Sequence, residues 1–259
     1  MRTEHLLGER LKGIIDAILS LDDVENSLSD TILPLLSTTK LLDGYKLASF
    51  KYGVDDFGYE YIPYVRKCNA LTQWCPPEKT NYNSCIRKDR PIIGDYATGE
   101  YKDGYLIEGI WGYERDISTV PSILPYFELT FSDVGILEAW VLYNIRDFLP
   151  RYWHANYGAK DFIYGIEKIK QLFPKYYLGT SCFARERNSI KDDIRSLDIN
   201  ELTPHVIING NTAIFTCAYW NHFSGLYKME TAFERVDNHI HYVSQSKICL
   251  VSHRSNIMF

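Results

Sequence analysis

"HVIINGNTAIFTCAYWNHFSGLYKMETAFERVDNHIHYVSQSKICLVS", residues 205–252, decides the fold. Asn209-Gly210 is the strongest short hairpin signal in the chain, because both residues tolerate the positive φ that tight hairpin turns require. Asp237-Asn238 is a second turn signal, and a third lies near His222–Gly225. The segments between these turns are rich in β-branched and aromatic residues, which suit a pleated, half-buried surface. The stretch is expected to form an antiparallel β-meander over 204–251.

Turn chemistry also sets a register. With Asp237-Asn238 as a two-residue turn, Val236 opposes His239, Arg235 opposes Ile240, Glu234 opposes His241 and Phe233 opposes Tyr242. Opposed residues share a face. One face then carries Met229, Thr231 and Phe233 with Ile240, Tyr242, Ile248 and Leu250, and is expected to be the core face. The other carries Glu230, Ala232, Glu234 and Val236 with His239, His241, Val243 and Gln245. A four-residue loop at His222–Gly225 would add Ile214, Ala218 and Trp220 to the core face, and Ala213, Phe215 and Cys217 to the histidine face. Val206 and Ile208 would lie beside Ala213. The same register sets Lys228 opposite Lys247. Like charges directly opposed are unfavourable, so a bulge is expected before that point.

His239 and His241 are spaced i, i+2, so on a strand both imidazoles stand on one face. Three readings follow. A carboxylate at Glu234 can fix the His241 tautomer and raise its basicity, making a general acid/base pair with Cys217 as an accessory nucleophile. Alternatively, His239 and His241 with a carboxylate can hold a metal with an open position. The plain reading is a cross-strand Glu–His pair on a solvated sheet surface, and it is preferred. No H-E-x-x-H, G-x-S-x-G or phosphate-loop motif supports a catalytic site, and no cofactor or metal is expected.

Upstream of the meander, Ser132 is an expected N-cap for a helix over 133–149, with Val134, Leu137, Val141, Ile145 and Phe148 on one stripe and Pro150 as its end. The meander is expected to pack on this helix. Further helices are expected near 160–173, from Phe162, Ile166, Ile169 and Phe173, and at 189–198. An amphipathic N-terminal helix is read from Leu7, Leu11, Ile14, Ile18 and Leu21, followed by a short helix over 24–33. Hairpins are expected with strands near 45–54 and 59–66, and around Asp103-Gly104. The whole, 1–259, reads as a single α+β domain.

Two connecting stretches can meet a partner. Residues 66–91 lack a clean period and contain Pro76-Pro77. Six cations there, Arg87, Lys88 and Arg90 among them, face two carboxylates, a local balance of +4. Between the helices expected at 133–149 and 160–173, "RYWHANYG" (residues 151–158) crowds Tyr152, Trp153, His154 and Tyr157 together. Amphipathic aromatics of this kind suit a binding surface, or simply a loop that covers the core.

Composition bounds the class. Of 259 residues, 46% are hydrophobic and 24% charged, so a folded core is expected. The formal charge is −5, which disfavours nucleic acid or an anionic membrane as partner. The N-terminal stretch lacks the apolar core of a secretion signal, and no stretch is apolar enough to span a bilayer. The six cysteines include no C-x-x-C pair. These features lead to a soluble, cytoplasmic protein with free thiols. Twenty tyrosines, negative charge and the absence of a catalytic signature point to a binding protein that occupies a macromolecular partner, inhibitor- or immunity-like. The alternative is an enzyme or small-molecule binder using His241 and Glu234.

Overall fold

The computed structural model describes residues 2–54, 58–68, 101–102, 105–106, 122–150, 160–165, 168, 197–198, 202–221, 224–237 and 239–252. The fold is α+β, with antiparallel sheets and an N-terminal helix. The chain divides into two compact units, one made of Met1–Asp16, Thr130–Trp140 and Tyr157–Phe259, the other of Ala17–Leu129 and Val141–Asn156.

The two N-terminal helices and the β2–β3 hairpin follow the sequence pattern closely. Helix α1 (Arg2–Leu19) buries Leu7, Leu11, Ile14 and Ile18, the apolar stripe of its period. Helix α2 (Val24–Ile32) buries Leu28 and Ile32, and Pro34 sits in a 3-10 turn that ends it. Strand β1 (Thr39–Leu41) is short, and β2 (Tyr45–Val54) pairs with β3 (Gly58–Lys67) as an antiparallel hairpin. The Ser49 hydroxyl on β2 donates to the Val24 carbonyl of α2 at 2.8 Å, a buried bond that ties helix to sheet. Strands β4 (Tyr101–Lys102) and β5 (Tyr105–Leu106) pair antiparallel, Tyr101 with Leu106 and Lys102 with Tyr105. Strand β6 (Phe127–Leu129) returns to pair with β1.

Helix α3 (Asp133–Tyr143) begins where its sequence predicts. The Ser132 hydroxyl accepts the Gly135 N–H at 3.2 Å, satisfying one of the orphan donors of the first turn. A Cβ on Gly135 would lie 1.7 Å from the Thr130 carbonyl oxygen, so the chain entering the helix requires glycine there. The helix is shorter than the expected 133–149. Asn144 adopts φ −102°, ψ 13°, which breaks the helical ladder, and its carbonyl accepts the Asp147 N–H as α4 (Ile145–Phe148) starts afresh. Residues Gly135 to Leu142 of α3 are all buried, including Glu138, whose carboxylate takes a charge-assisted hydrogen bond from the Arg10 guanidinium of α1.

Asp161–Ile163 corrects a second expectation. These residues carry part of a helical stripe, yet they form strand β7, pairing with Ala218–Trp220. An open sheet edge presents unpaired backbone groups, and Phe162 and Ile163 gain both a ladder and burial by joining it. Most of the segment expected to be helical near 160–173, and most of 189–198, lies outside the described residues, as do 69–91.

The C-terminal sheet is the expected meander, but its first turn falls one residue later than Asn209-Gly210: Asn209 pairs with Thr212, and Gly210, at φ +61°, makes the turn with Asn211. It comprises β8 (His205–Asn209), β9 (Thr212–Asn221), β10 (Gly225–Val236) and β11 (His239–Ser252). The order is β11-β10-β9, with β7 and β8 both pairing β9. Its inner face packs on α3 through an aromatic cluster. The Trp140 ring lies 4.5 Å from Phe215 and edge-on to Phe162 at 5.2 Å. Phe233 and Met229 complete this core with Ile240.

Candidate functional site on the outer face of the C-terminal sheet

The β10–β11 hairpin has the register its turn dictates. Val236 pairs with His239, Arg235 with Ile240, Glu234 with His241 and Phe233 with Tyr242. Asp237 takes φ +48°, the left-handed conformation that a tight turn needs. Glu234 and His241 are therefore cross-strand neighbours, opposite in face to the buried Phe233. Glu234, His239 and His241 are all exposed.

The expected conflict between Lys228 and Lys247 is resolved by a bulge. Val243 has no partner, so Ala232 pairs with Ser244, Met229 with Lys247 and Lys228 with Ile248. The bulge carries Ile248 out of the expected core face: it is 54% exposed. A second irregularity leaves Leu250 unpaired before Leu226 meets Val251.

The faces of β9 are the reverse of those expected. The β9–β10 connection closes on Asn221 paired with Gly225, one residue shorter than a His222–Gly225 loop would give. Gly225 takes φ +114°, which that closure uses and which side-chain-bearing residues rarely adopt. Because side chains alternate with period two, a one-residue change moves every side chain to the other face. Ala213, Phe215 and Cys217 thus join the inner core, while Ile214, Ala218 and Trp220 face outward. Val206 and Ile208 do share a face with Ala213, but it is the inner one.

Cys217 is accordingly separated from His241 and Glu234 by the sheet itself. It is fully buried opposite Met229, and desolvation pushes its thiol far above the usual range. A thiol held protonated on the far side of a sheet cannot share a reacting atom with the histidine pair.

The outer face has two parts. At the end nearest β7, Ile163, Ala218, Trp220, Leu226 and Val251 are closed over by Leu202 into a second small core. Toward the hairpin tips the face opens along three cross-strand rows: Thr216, in the row nearest the second core, is still buried, whereas Glu234 and His241 at the tips are exposed. One row runs Asn209, Thr212, Glu234, His241; the next runs Ile207, Ile214, Ala232, Ser244; the third runs His205, Thr216, Glu230, Ser246. Ile207 is 50% exposed and its partner Ile214 is 39% exposed. His205 is oriented by its Nδ1–H, which donates to the Thr203 carbonyl at 2.9 Å. His205, Ile207 and Ile214 are site residues that the sequence reading missed. The inverted parity of β9 hid the isoleucines, and no local motif marks His205.

Among the described residues, no three His, Cys, Asp or Glu side chains converge as a metal-ligand set. None of the described helices is long and apolar enough to cross a membrane. Tyr152, Trp153, His154 and Tyr157, and the cations Arg87, Lys88 and Arg90, lie outside the described residues.

Fold and site together define an α+β protein with an open, mixed apolar and charged sheet face. Comparison with known families, curated proteins and solved structures finds no match to this chain.

Proposed function

We propose that this chain is a cytoplasmic binding protein that acts by occupying a protein partner, in the manner of an inhibitor or immunity protein, and that the open part of the outer sheet face is its contact. The observation that carries this is the exposed Ile207–Ile214 pair, set between rows of charged and polar residues. An apolar centre with a polar rim is the usual anatomy of a protein interface. Rigid strands hold it in place, so little ordering entropy is lost on docking. Glu234 on the same face, with a formal charge of −5 for the chain, favours a basic partner and fast, salt-sensitive association, while Glu230 is paired with Lys228 at 3.2 Å. Cys68, Cys217 and Cys249 are free thiols, which suits a reducing compartment.

The test compares the protein with an Ile207→Lys, Ile214→Lys double variant. Both immobilised proteins are exposed to the soluble proteins of the source cell. A partner retained by the native chain is then titrated against each at two salt concentrations. The expected outcome is at least a tenfold weaker affinity for the double variant, about 1.4 kcal/mol or more. Association should also slow as salt rises. Equal retention by both proteins, or no retained protein, would overturn the proposal.

A further inference from the structure

We infer that the outer edge of β11 is a self-pairing edge, at which a second copy of this chain joins antiparallel about a two-fold axis through Ser246. The edge adjoins the open outer face, which carries Ser244 and Ser246, but its self-pairing is tested apart from that face, by mass and cross-linking alone.

The first ground is the exposure of β11. Among the described residues it pairs only with β10 and ends the sheet. Val243 to Cys249, seven consecutive residues, are all exposed, so neither face of this span is covered. On β10 the inner-face residues Met229 and Thr231 opposite it are buried. Over this span the core layer therefore stops at β10, and β11 overhangs it. An overhanging edge strand presents a row of backbone donors and acceptors on its free side, a template for another strand.

The second ground is the weakness of the edge's protection. Edges are ordinarily blunted by charges, prolines or bulges. Here the two unpaired residues, Val243 and Leu250, bracket the span and leave Ser244–Cys249 in regular register. The span holds no proline and one charge, Lys247. That ammonium lies 6.0 Å from the centre of the Tyr227 ring on β10, drawn over the sheet.

The third ground is self-complementarity. Antiparallel partners share a face, so a two-fold axis normal to the sheet must pass through a residue pair and its own copy. An axis at Lys247 opposes two ammonium groups, and one at Gln245 sets Val243 against the partner's Lys247. An axis at Ser246 avoids both. It sets Gln245, a neutral hydrogen-bonding amide, against the partner's Lys247, Ser244 against the partner's Ile248, and Val243 against the partner's Cys249. Val243 and Ile248 are 53% and 54% exposed in the single chain and lose water on pairing. The result is a continuous sheet in the order β9-β10-β11 followed by its two-fold copy.

Light scattering on the eluting full chain tests this. The expected mass is twice the 30.1 kDa of one chain, falling to one chain for Ser246→Lys, which places two ammonium groups across the axis. Circular dichroism of that variant should match the native protein, because Ser246 is exposed. A second arm does not depend on that variant. In a Cys68→Ser, Cys249→Ser background, Ser246→Cys should form a covalent dimer under mild oxidation, since directly opposed residues meet disulfide geometry. Ser244→Cys, whose opposite number is Ile248, should not. A native protein that is monomeric at all concentrations, or a dimer that survives Ser246→Lys with no cross-link from Ser246→Cys, would overturn the assignment. Loss of binding to a different protein on Ser246→Lys, with the native chain monomeric, would give the edge to that partner instead and equally overturn it.

Discussion

Strands β9 and β11 lie in the same sheet with only β10 between them, and they are opposites. In β9, Phe215 to Asn221 are seven consecutive buried residues; in β11, Val243 to Cys249 are seven consecutive exposed ones. Neither shows the alternation of a half-buried strand. The contrast comes from neighbours. β9 has β10 on one edge and β7 and β8 on the other. Trp140 of α3 packs on its inner face at Phe215, and Leu202 packs with Ala218 and Trp220 at the end of its outer face. β11 has one neighbour and no layer over Val243–Cys249. β10, between them, alternates: Met229, Thr231 and Phe233 are buried while Lys228 and Glu230 are half-buried. Burial in this sheet is thus a property of the layers that meet each strand, and a strand's own pattern reports it only where one face is covered.

The largest expected difference between the two strands is in thiol chemistry. Cys217 on β9 is buried and its thiol is held protonated, whereas Cys249 on β11 is exposed. Alkylation of the native protein, followed by peptide mass mapping, should label Cys249 early and Cys217 only on unfolding. Comparable rates at the two sites would break the comparison at its base.

Packing comes next. Phe215→Ala removes a ring held against Trp140 and should destabilise the protein by about 3–5 kcal/mol, read from the midpoint of denaturant unfolding. Ile248→Ala on β11 should change stability by no more than about 0.5 kcal/mol in dilute solution. A large loss at Ile248 under those conditions would mean that β11 is covered already. A loss that grows with protein concentration would sharpen the contrast, by showing that what covers it is a second copy.

The smallest effect belongs to the cross-strand pair at the hairpin tip. Glu234 and His241 are exposed, so His241→Ala should cost no more than about 1 kcal/mol. Thermal unfolding of the variant against the native protein checks this. A larger loss would place the pair in a closed environment and revive its reading as an acid/base site.

How much of this was legible beforehand differs from strand to strand. Local turn chemistry carried the β10–β11 hairpin. Asp237-Asn238 accommodates a left-handed residue, the pairing from Val236–His239 to Phe233–Tyr242 follows, and the opposition of Lys228 and Lys247 announced a bulge before them. The N-cap at Ser132 and the apolar stripe of α1 were equally local. The β9–β10 connection was not, because a three-residue loop ending on Gly225 and a four-residue loop differ little in composition. With a period of two, that single residue exchanged the faces of Phe215, Cys217, Ile214 and Trp220, and with them the membership of the candidate site.

What the sequence determined by itself is therefore what neighbours along the chain decide: the class α+β, the β2–β3 and β10–β11 hairpins, the start of α3 and the face shared by Glu234 and His241. The tertiary structure alone decided which side of β9 faces α3, that Asp161–Ile163 pairs as a strand despite its helical stripe, and that α3 breaks at Asn144. It alone decided, too, that Val243–Cys249 of β11 stands uncovered. The physical reason is that each of these depends on a group distant in sequence. A free edge on β9, a buried aromatic on α3 or a layer that stops at β10 changes the free energy of a segment without leaving any mark in that segment's own residues.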